Sequence, residues 1–330
     1  MILAGDVGGT KTVLALFELE RGDLALRRDA TFASRDFDSL EQILAAFLAP
    51  AERPIAAAGF GVAGPVRDGR SHVTNLAWSL GQDALARATG IPRVRLLNDL
   101  EAAALGMLRL RGDQRAVLQP AREPAQRGSI AVIAAGTGLG EAMLHWDGER
   151  FRAIASEGGH AGFAPRSDEE IELLRFLRAE LGGHVSVERV CSGIGLRNVY
   201  RFARERSGEP EPEWLAERMQ KEDVGALVGE LGLSGRDPVC ARALELFVSI
   251  YANEAGALAL RCVASAVYIG GGIAPKLLPA LRTGAFLRAF ADKGRFREWL
   301  EGVEVSVCLE PRAPLLGAAH AAAELVAAGA

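Results

Sequence analysis

Three glycine-rich turns in this 330-residue chain stand where backbone could approach phosphate. They are Gly5-Asp6-Val7-Gly8-Gly9-Thr10, the run from Gly136, Thr137 and Gly138 to Gly140, and Gly270-Gly271-Gly272. Each follows an apolar run that reads as a strand, and each ends that strand on backbone N–H groups with no side chain over them. That arrangement cradles phosphate oxygens. Thr10 and Thr137 add hydroxyl donors. Asp6, at the end of the first strand, can hold Mg²⁺ through water, since hard cations take carboxylate and phosphate oxygens together. Any one of these turns is equally a tight hairpin. Three of them, two at equivalent places in a repeated pattern, point to a nucleotide.

Two near-matches fail on context. Gly5 to Thr12 resembles GxxxxGK[ST], but Thr10 stands where glycine is required, and an alternating strand follows instead of a helix. Gly59-Phe-Gly61-Val-Ala-Gly64 fits GxGxxG, yet Pro65 and Val-Arg-Asp-Gly follow it, so no dinucleotide crossover can form there.

The elements that position these turns are legible from period and punctuation. Residues 2–20 read as strand, glycine turn, strand; 28–36 add a third strand; and 39–49 form an amphipathic helix capped by Ser39. Residues 55–64 and 94–98 are further strands, and a helix over 99–110 opens directly from the second of them. Residues 111–128, rich in Gly, Pro, Arg and Gln, read as a surface connection and domain boundary. The opening pattern then recurs at 129–147, a divergent internal duplication. Helices follow at 168–182, 193–206 and 212–221, with a long one over 237–265 capped by Asp237 with Pro238 at its first position. Strand, triple glycine and helix come next, then a strand at 303–309 and an alanine-rich helix at 315–328. Strands alternating with helices make this an α/β chain.

Composition mainly excludes. Glycine fills 38 of 330 positions, above the usual ~7% but aperiodic, and 49% hydrophobic content rules out a disordered chain. Lys+Arg 38 against Asp+Glu 42 gives a net charge of −4 with no basic block, so no nucleic-acid partner is expected. No apolar run reaches 18 residues and the start MILAGDVGG has no basic region, so neither membrane span nor secretory signal is expected. Cys191, Cys240, Cys262 and Cys308 lie far apart without a CxxC pair, as reduced core residues do.

DVGGTKT, GVAGPV, LLNDLEAAALG, AAGTGLGEA, SEGGHAGFAP, ERVCSGIGL and YIGGGIAP occur in the order found in bacterial glucokinases of the hexokinase–actin-like ATPase superfamily. The chain resembles that family from residue 3 to about residue 320. The related repressor–ORF–kinase family carries a zinc-binding cysteine cluster after its histidine. Here Glu157-Gly158-Gly159-His160 runs into Ala-Gly-Phe-Ala-Pro, so the resemblance is to the zinc-free branch.

The resemblance implies two α/β domains of the actin-like ATPase (ribonuclease H-like) type, each on a mixed five-stranded sheet with flanking helices. The small domain takes 1–111 plus 312–330 and the large one 112–311. It implies transfer of the terminal phosphoryl group of ATP, with Mg²⁺, to the 6-hydroxyl of D-glucose, the first step of glycolysis, in a cytoplasmic homodimer. Phosphoryl transfer to an alcohol needs a carboxylate to orient the hydroxyl and take its proton. Asp99, at the carboxyl edge of the sheet, is assigned that role, although Asp is also a preferred helix cap. By the same resemblance Asn98 and Glu157 read the 2- to 4-hydroxyls, and His160 and Glu188 the anomeric end. Glu188 lies in VSVERV, which alternates like a strand edge where a glutamate is ordinarily solvated. Gly270-Gly271-Gly272 matches the adenosine-contacting turn. His72, His145, His184 and His320 have no partner pattern and are expected to be structural or exposed. Two alternatives stay open. One is a kinase for mannose, fructose or N-acetylglucosamine. The other is a sugar-sensing regulator on the same scaffold, which would need a helix-turn-helix that a chain starting at the Asp6 strand does not accommodate.

Overall fold

Asp6 ends a strand whose side chains alternate between two cores, and that alternation organises the first half of the molecule. In the computed structural model, which describes residues 1–20, 23–48, 54–74, 76–123 and 127–327, the strand is Ile2–Val7. Leu3 and Val7 pack on one face with Leu40, Ile43 and Leu44 of the helix Leu40–Phe47. Ile2 and Ala4 pack on the other with Leu315, Ala318 and Ala322 of the helix Ala313–Ala327. Period-two alternation places both sets without any further information.

The chain divides into two compact units, one of residues 1–112, 147–155 and 310–330, the other of 113–146 and 156–309. Segment 147–155, within the large domain expected from sequence, clusters with the first unit. The first unit holds a five-stranded sheet in the order Asp23–Ala33, Lys11–Glu20, Ile2–Val7, Ala57–Val62, Val94–Asn98. Its first three strands are antiparallel and the rest parallel, a mixed sheet. Ser39 caps Leu40–Phe47 as expected, accepting the Gln42 N–H. The helix read over 39–49 ends at Phe47; residues 49–53 lie outside the described residues.

Six strands make up the second sheet where five were expected. Five of them lie wholly within the second unit, in the order Leu139–Trp146, Ser129–Ala135, Ala264–Gly270, Glu304–Cys308, Arg115–Gln119. The hairpin of Ser129–Ala135 with Leu139–Trp146 and its parallel neighbour Ala264–Gly270 repeat the plan of the first sheet. The stretch 111–128 is not only a connection: Arg115–Gln119 is an edge strand antiparallel to Glu304–Cys308. Gln119 Nε2 donates to the Leu300 and Val303 carbonyls at 2.8 and 2.6 Å, which pins a segment too short and too polar to be recognised alone.

Helix Pro238–Cys262 is long and apolar enough to cross a membrane by length and composition, but 78% of its apolar window is buried inside the protein. Asp237 caps it, Oδ1 accepting the Cys240 N–H at 2.7 Å, and Arg204 Nη2 holds both Asp237 oxygens at 3.0–3.1 Å. A helix over Val224–Ser234 was not evident from sequence, because Gly225, Gly229 and Gly232 lower its intrinsic propensity. Tertiary contact compensates. A Cβ on Gly225 would stand 2.5 Å from the Gly193 carbonyl oxygen, and one on Gly232 2.7 Å from that of Cys240.

Candidate functional site

In the first unit the predicted residues gather at the carboxyl edge of the parallel strands, where α/β ligand sites form. Gly8 N–H donates to the Lys11 carbonyl at 3.0 Å, closing the first glycine turn. Gly5 and Val7 are buried in the strand, whereas Gly8 and Gly9 are partly exposed and Thr10 is exposed. Ser34, missed in the sequence, braces this turn. Its hydroxyl donates to the Gly8 carbonyl at 2.7 Å, meets Thr12 Oγ1 at 3.0 Å, and its N–H donates to the Thr10 carbonyl at 3.0 Å. A serine after a strand gives no local sign of this role, since only the antiparallel pairing of Asp23–Ala33 brings it under the turn.

The helix opening from Val94–Asn98 is Asp99–Met107, shorter than expected, and its cap is Asn98 rather than Asp99. Asn98 Oδ1 accepts the Leu100 N–H at 3.0 Å, while Glu101 Oε2 accepts the Asn98 N–H at 2.9 Å, a reciprocal capping box. Asn98 Nδ2 donates to the Gly64 carbonyl at 3.1 Å. One amide hydrogen and one oxygen lone pair of Asn98 therefore remain for a ligand. Asp99 Oδ1 lies 2.9 Å from the same Leu100 nitrogen, at the positive end of the helix.

Asp6 alternates onto the face of the sheet that this helix covers. Its parallel partner is Gly61, and a Cβ there would lie 3.7 Å from the Asp99 Cα and 2.8 Å from the Ala102 Cβ. The bare glycine thus lets the helix start close beside Asp6. Burial first, then the Asp99 carboxylate, push Asp6 up to about 6, with Lys11 opposing. Gly61 belongs to the GxGxxG decoy, and its use is packing: Ala57–Val62 leads into the small hairpin of Val66–Arg67 and Arg70–His72, not a helix.

In the second unit, Gly136 N–H donates to the Gly138 carbonyl at 2.8 Å and the Gly136 carbonyl accepts the Gly193 N–H at 2.8 Å. Gly136, Thr137 and Gly272 line one cavity of about 560 Å³. Leu196, Leu233, Ile273 and Leu277 supply its apolar lining, with Gly229 and Lys276 also on the wall. Of the triple glycine only Gly272 reaches this cavity. Gly270 ends its strand, and Gly271, at φ +80°, packs on the Ala135 carbonyl.

Glu157 and His160 project from a 3₁₀ turn, Gly158–His160, with His160 Nε2 3.9 Å from Glu157 Oε2 and both side chains mostly exposed. His184 Nε2 meets the His160 carbonyl at 2.9 Å, so this histidine has a partner after all. Glu188 is not on a strand. Val187–Arg189 is a 3₁₀ turn, and Glu188 Oε2 accepts the Leu139 N–H at 3.0 Å against the bare face of Gly138. That partly buried carboxylate is tied to the second glycine turn. Cys191, Cys240 and Cys308 are buried, Cys262 is half-buried, and all four are free thiols.

A family model described as Glucokinase matches residues 3–325. The chain is 40% identical over 345 residues to a glucokinase of Nostoc punctiforme, covering 98% of this chain and 99% of that one. It is 39% identical over 348 residues to a glucokinase of Synechocystis sp., with 98% of each covered. Among solved structures it is similar to a glucokinase from an Antarctic psychrotroph, with a TM-score of 0.85 at 30% identity and 98% of both chains covered.

Proposed function

The chain belongs to the glucokinase family, and we propose that within its transfer of phosphate from ATP to glucose Asp99 is the general base. The observation that carries the nucleotide half of this reading is that Gly136, Thr137 and Gly272 wall a single cavity with an apolar lining. Such a lining accepts the flat face of a base, and the bare turns offer N–H donors to phosphate. Gly9 and Thr10 offer the same to the transferring end, on a turn that the Gly8 N–H closes.

Asp99 orients the 6-hydroxyl and takes its proton as the oxygen attacks phosphorus. Asn98, locked by its cap and by Gly64, presents its remaining amide groups to ring hydroxyls. Glu157 and His160 read further hydroxyls from the glycine turn, and Glu188 does so while supporting Leu139. Hydroxyls that are both donor and acceptor suit such mixed partners.

Two carboxylates brought together at one sheet edge, one of them pushed up to about 6, fit a divalent cation, because added positive charge offsets the burial penalty and the Asp99 repulsion that raise Asp6. Asp6 would hold Mg²⁺ through water, and the bound ion supplies neutralisation of phosphate charge. A cytoplasmic homodimer extends the same proposal, and light scattering at assay concentration tests the dimer.

A coupled assay with ATP and a panel of hexoses tests the function. Glucose should exceed mannose, fructose and N-acetylglucosamine by at least about tenfold in kcat/KM. Equal or better turnover of another hexose would replace the substrate.

A further inference from the structure

Beneath the turn that carries Glu157 and His160 lies a carboxyl that the chemistry above does not use. Glu141, on strand Leu139–Trp146, is 1% exposed. A Cβ on Gly158 would overlap Glu141 Oε2 and stand 3.0 Å from its Cδ, so the turn rests directly on this carboxyl. Glu254, from helix Pro238–Cys262 and 4% exposed, brings a second carboxyl to the same place. Arg261 Nη1 lies 2.6 Å from Glu254 Oε1 and 3.6 Å from Glu141 Oε2. The Cys191 thiol lies within electrostatic reach of both carboxyls, and Lys293, hydrogen-bonded to Asn253, within that of Glu254.

Two carboxyls buried around one guanidinium favour a proton on one of the two, because like charges held together out of water resist joint ionisation. Glu141 Oε1 has no hydrogen-bond partner among the described residues. A bare buried oxygen costs less on a neutral acid than on a carboxylate. Burial first, then Glu254, push Glu141 up to about 7, with Arg261 opposing.

We infer that the Glu141–Glu254 pair positions the sugar loop, Glu141 carrying the Gly158 turn from which Glu157 and His160 project, and that removing the pair's proton weakens glucose binding. This rests on the reading of Glu157 and His160 as sugar ligands. Below the Glu141 pKa the pair carries one negative charge balanced by Arg261. Above it a second charge appears under the turn, which must shift to let water in. The same sign applies to folding: the acid binds its proton more tightly folded than unfolded, so its ionisation costs stability between about pH 4.5 and 7.

The test is KM for glucose from pH 6 to 9 in wild type, Glu141→Gln and Glu141→Leu, with Glu157→Ala measured at pH 6.5. Wild-type KM should rise by roughly tenfold across pH 7, the effect of one pKa unit of coupling. Glu141→Gln keeps the shape of the side chain with an amide beside Glu254 and cannot ionise, so its KM should stay near the low-pH value throughout. Glu141→Leu should raise KM at every pH. A protonated-carboxyl infrared band present in wild type at pH 6, lost at pH 9 and missing from Glu141→Gln would report the pair independently of activity. A flat wild-type KM, or a Glu141→Gln profile that tracks wild type, would overturn the inference while leaving the sugar loop intact. Unchanged KM in Glu157→Ala would instead overturn the reading of the sugar loop itself.

Discussion

Asp6 and Gly61 stand opposite each other in the parallel pairing of the first sheet, and the missing side chain at Gly61 is what lets the helix bearing Asp99 begin beside Asp6. A Cβ there would meet Ala102 Cβ at 2.8 Å, too close without movement of the helix. Gly61→Ala should cost about 1–3 kcal/mol of stability, the usual cost of overpacking, and lower kcat as Asp99 is displaced. Chemical denaturation and steady-state kinetics read the two effects. Wild-type kcat with lowered stability would show that the spacing of the two carboxylates is unimportant.

Because Asn98 rather than Asp99 caps the helix, the proposed base can be altered without unwinding its support. Asp99→Asn keeps an oxygen for the Leu100 N–H but cannot accept a proton. We expect kcat to fall about 10²- to 10⁴-fold, the typical contribution of a positioned base, with glucose affinity held within about tenfold, a difference of 1.4 kcal/mol. Isothermal titration and single-turnover assays separate the two. Turnover near that of wild type would remove Asp99 from the mechanism.

Gly229 lies on the wall of the cavity proposed for the nucleotide, and a Cβ there would meet only flexible side chains, Leu277 Cδ2 at 3.2 Å and Leu196 Cδ2 at 3.7 Å. Gly229→Ala should therefore fold, gaining up to about 1 kcal/mol of helix propensity. By filling the cavity it should raise KM for ATP severalfold and leave KM for glucose alone. An unchanged KM for ATP would place the nucleotide elsewhere.

Burial, aided by Arg109, pushes His320 down to about 4 from an ordinary 6.5. Between those values the unfolded chain binds the proton and the folded chain does not, so stability falls as pH drops from 6.5 towards 4. In His320→Gln the loss in urea midpoint from pH 7 to pH 5 should be smaller than in wild type. Equal losses would mean that His320 is not what titrates.

Much of this site was legible because its signals are local. A glycine run after an apolar strand announces a bare turn, and Asn98-Asp99 at the end of VRLLN announces a strand passing into a helix. Even so, the cap fell to Asn98, a choice between adjacent acceptors that depends on Glu101 folding back and on Gly64 taking the amide. The alternation of VSVERV suggested a strand edge around Glu188. The structure makes it a turn residue whose partner, Leu139, is 49 positions away.

Alternation, caps and glycine spacing, carried by neighbours in the chain, determined the α/β class, the duplicated hairpins and the candidates for the chemistry. Tertiary structure alone decided which of those residues have company. Ser34 under the first turn, Gly61 between Asp6 and Asp99, and Glu141 beneath Gly158 are ordinary letters until strand pairing and helix packing bring distant backbone against them. The glycine-rich helix Val224–Ser234 is the same case: poor in propensity, it exists because its bare faces allow backbone contacts that side chains would prevent. Local pattern sets what each segment prefers, and close packing between segments sets which preference holds.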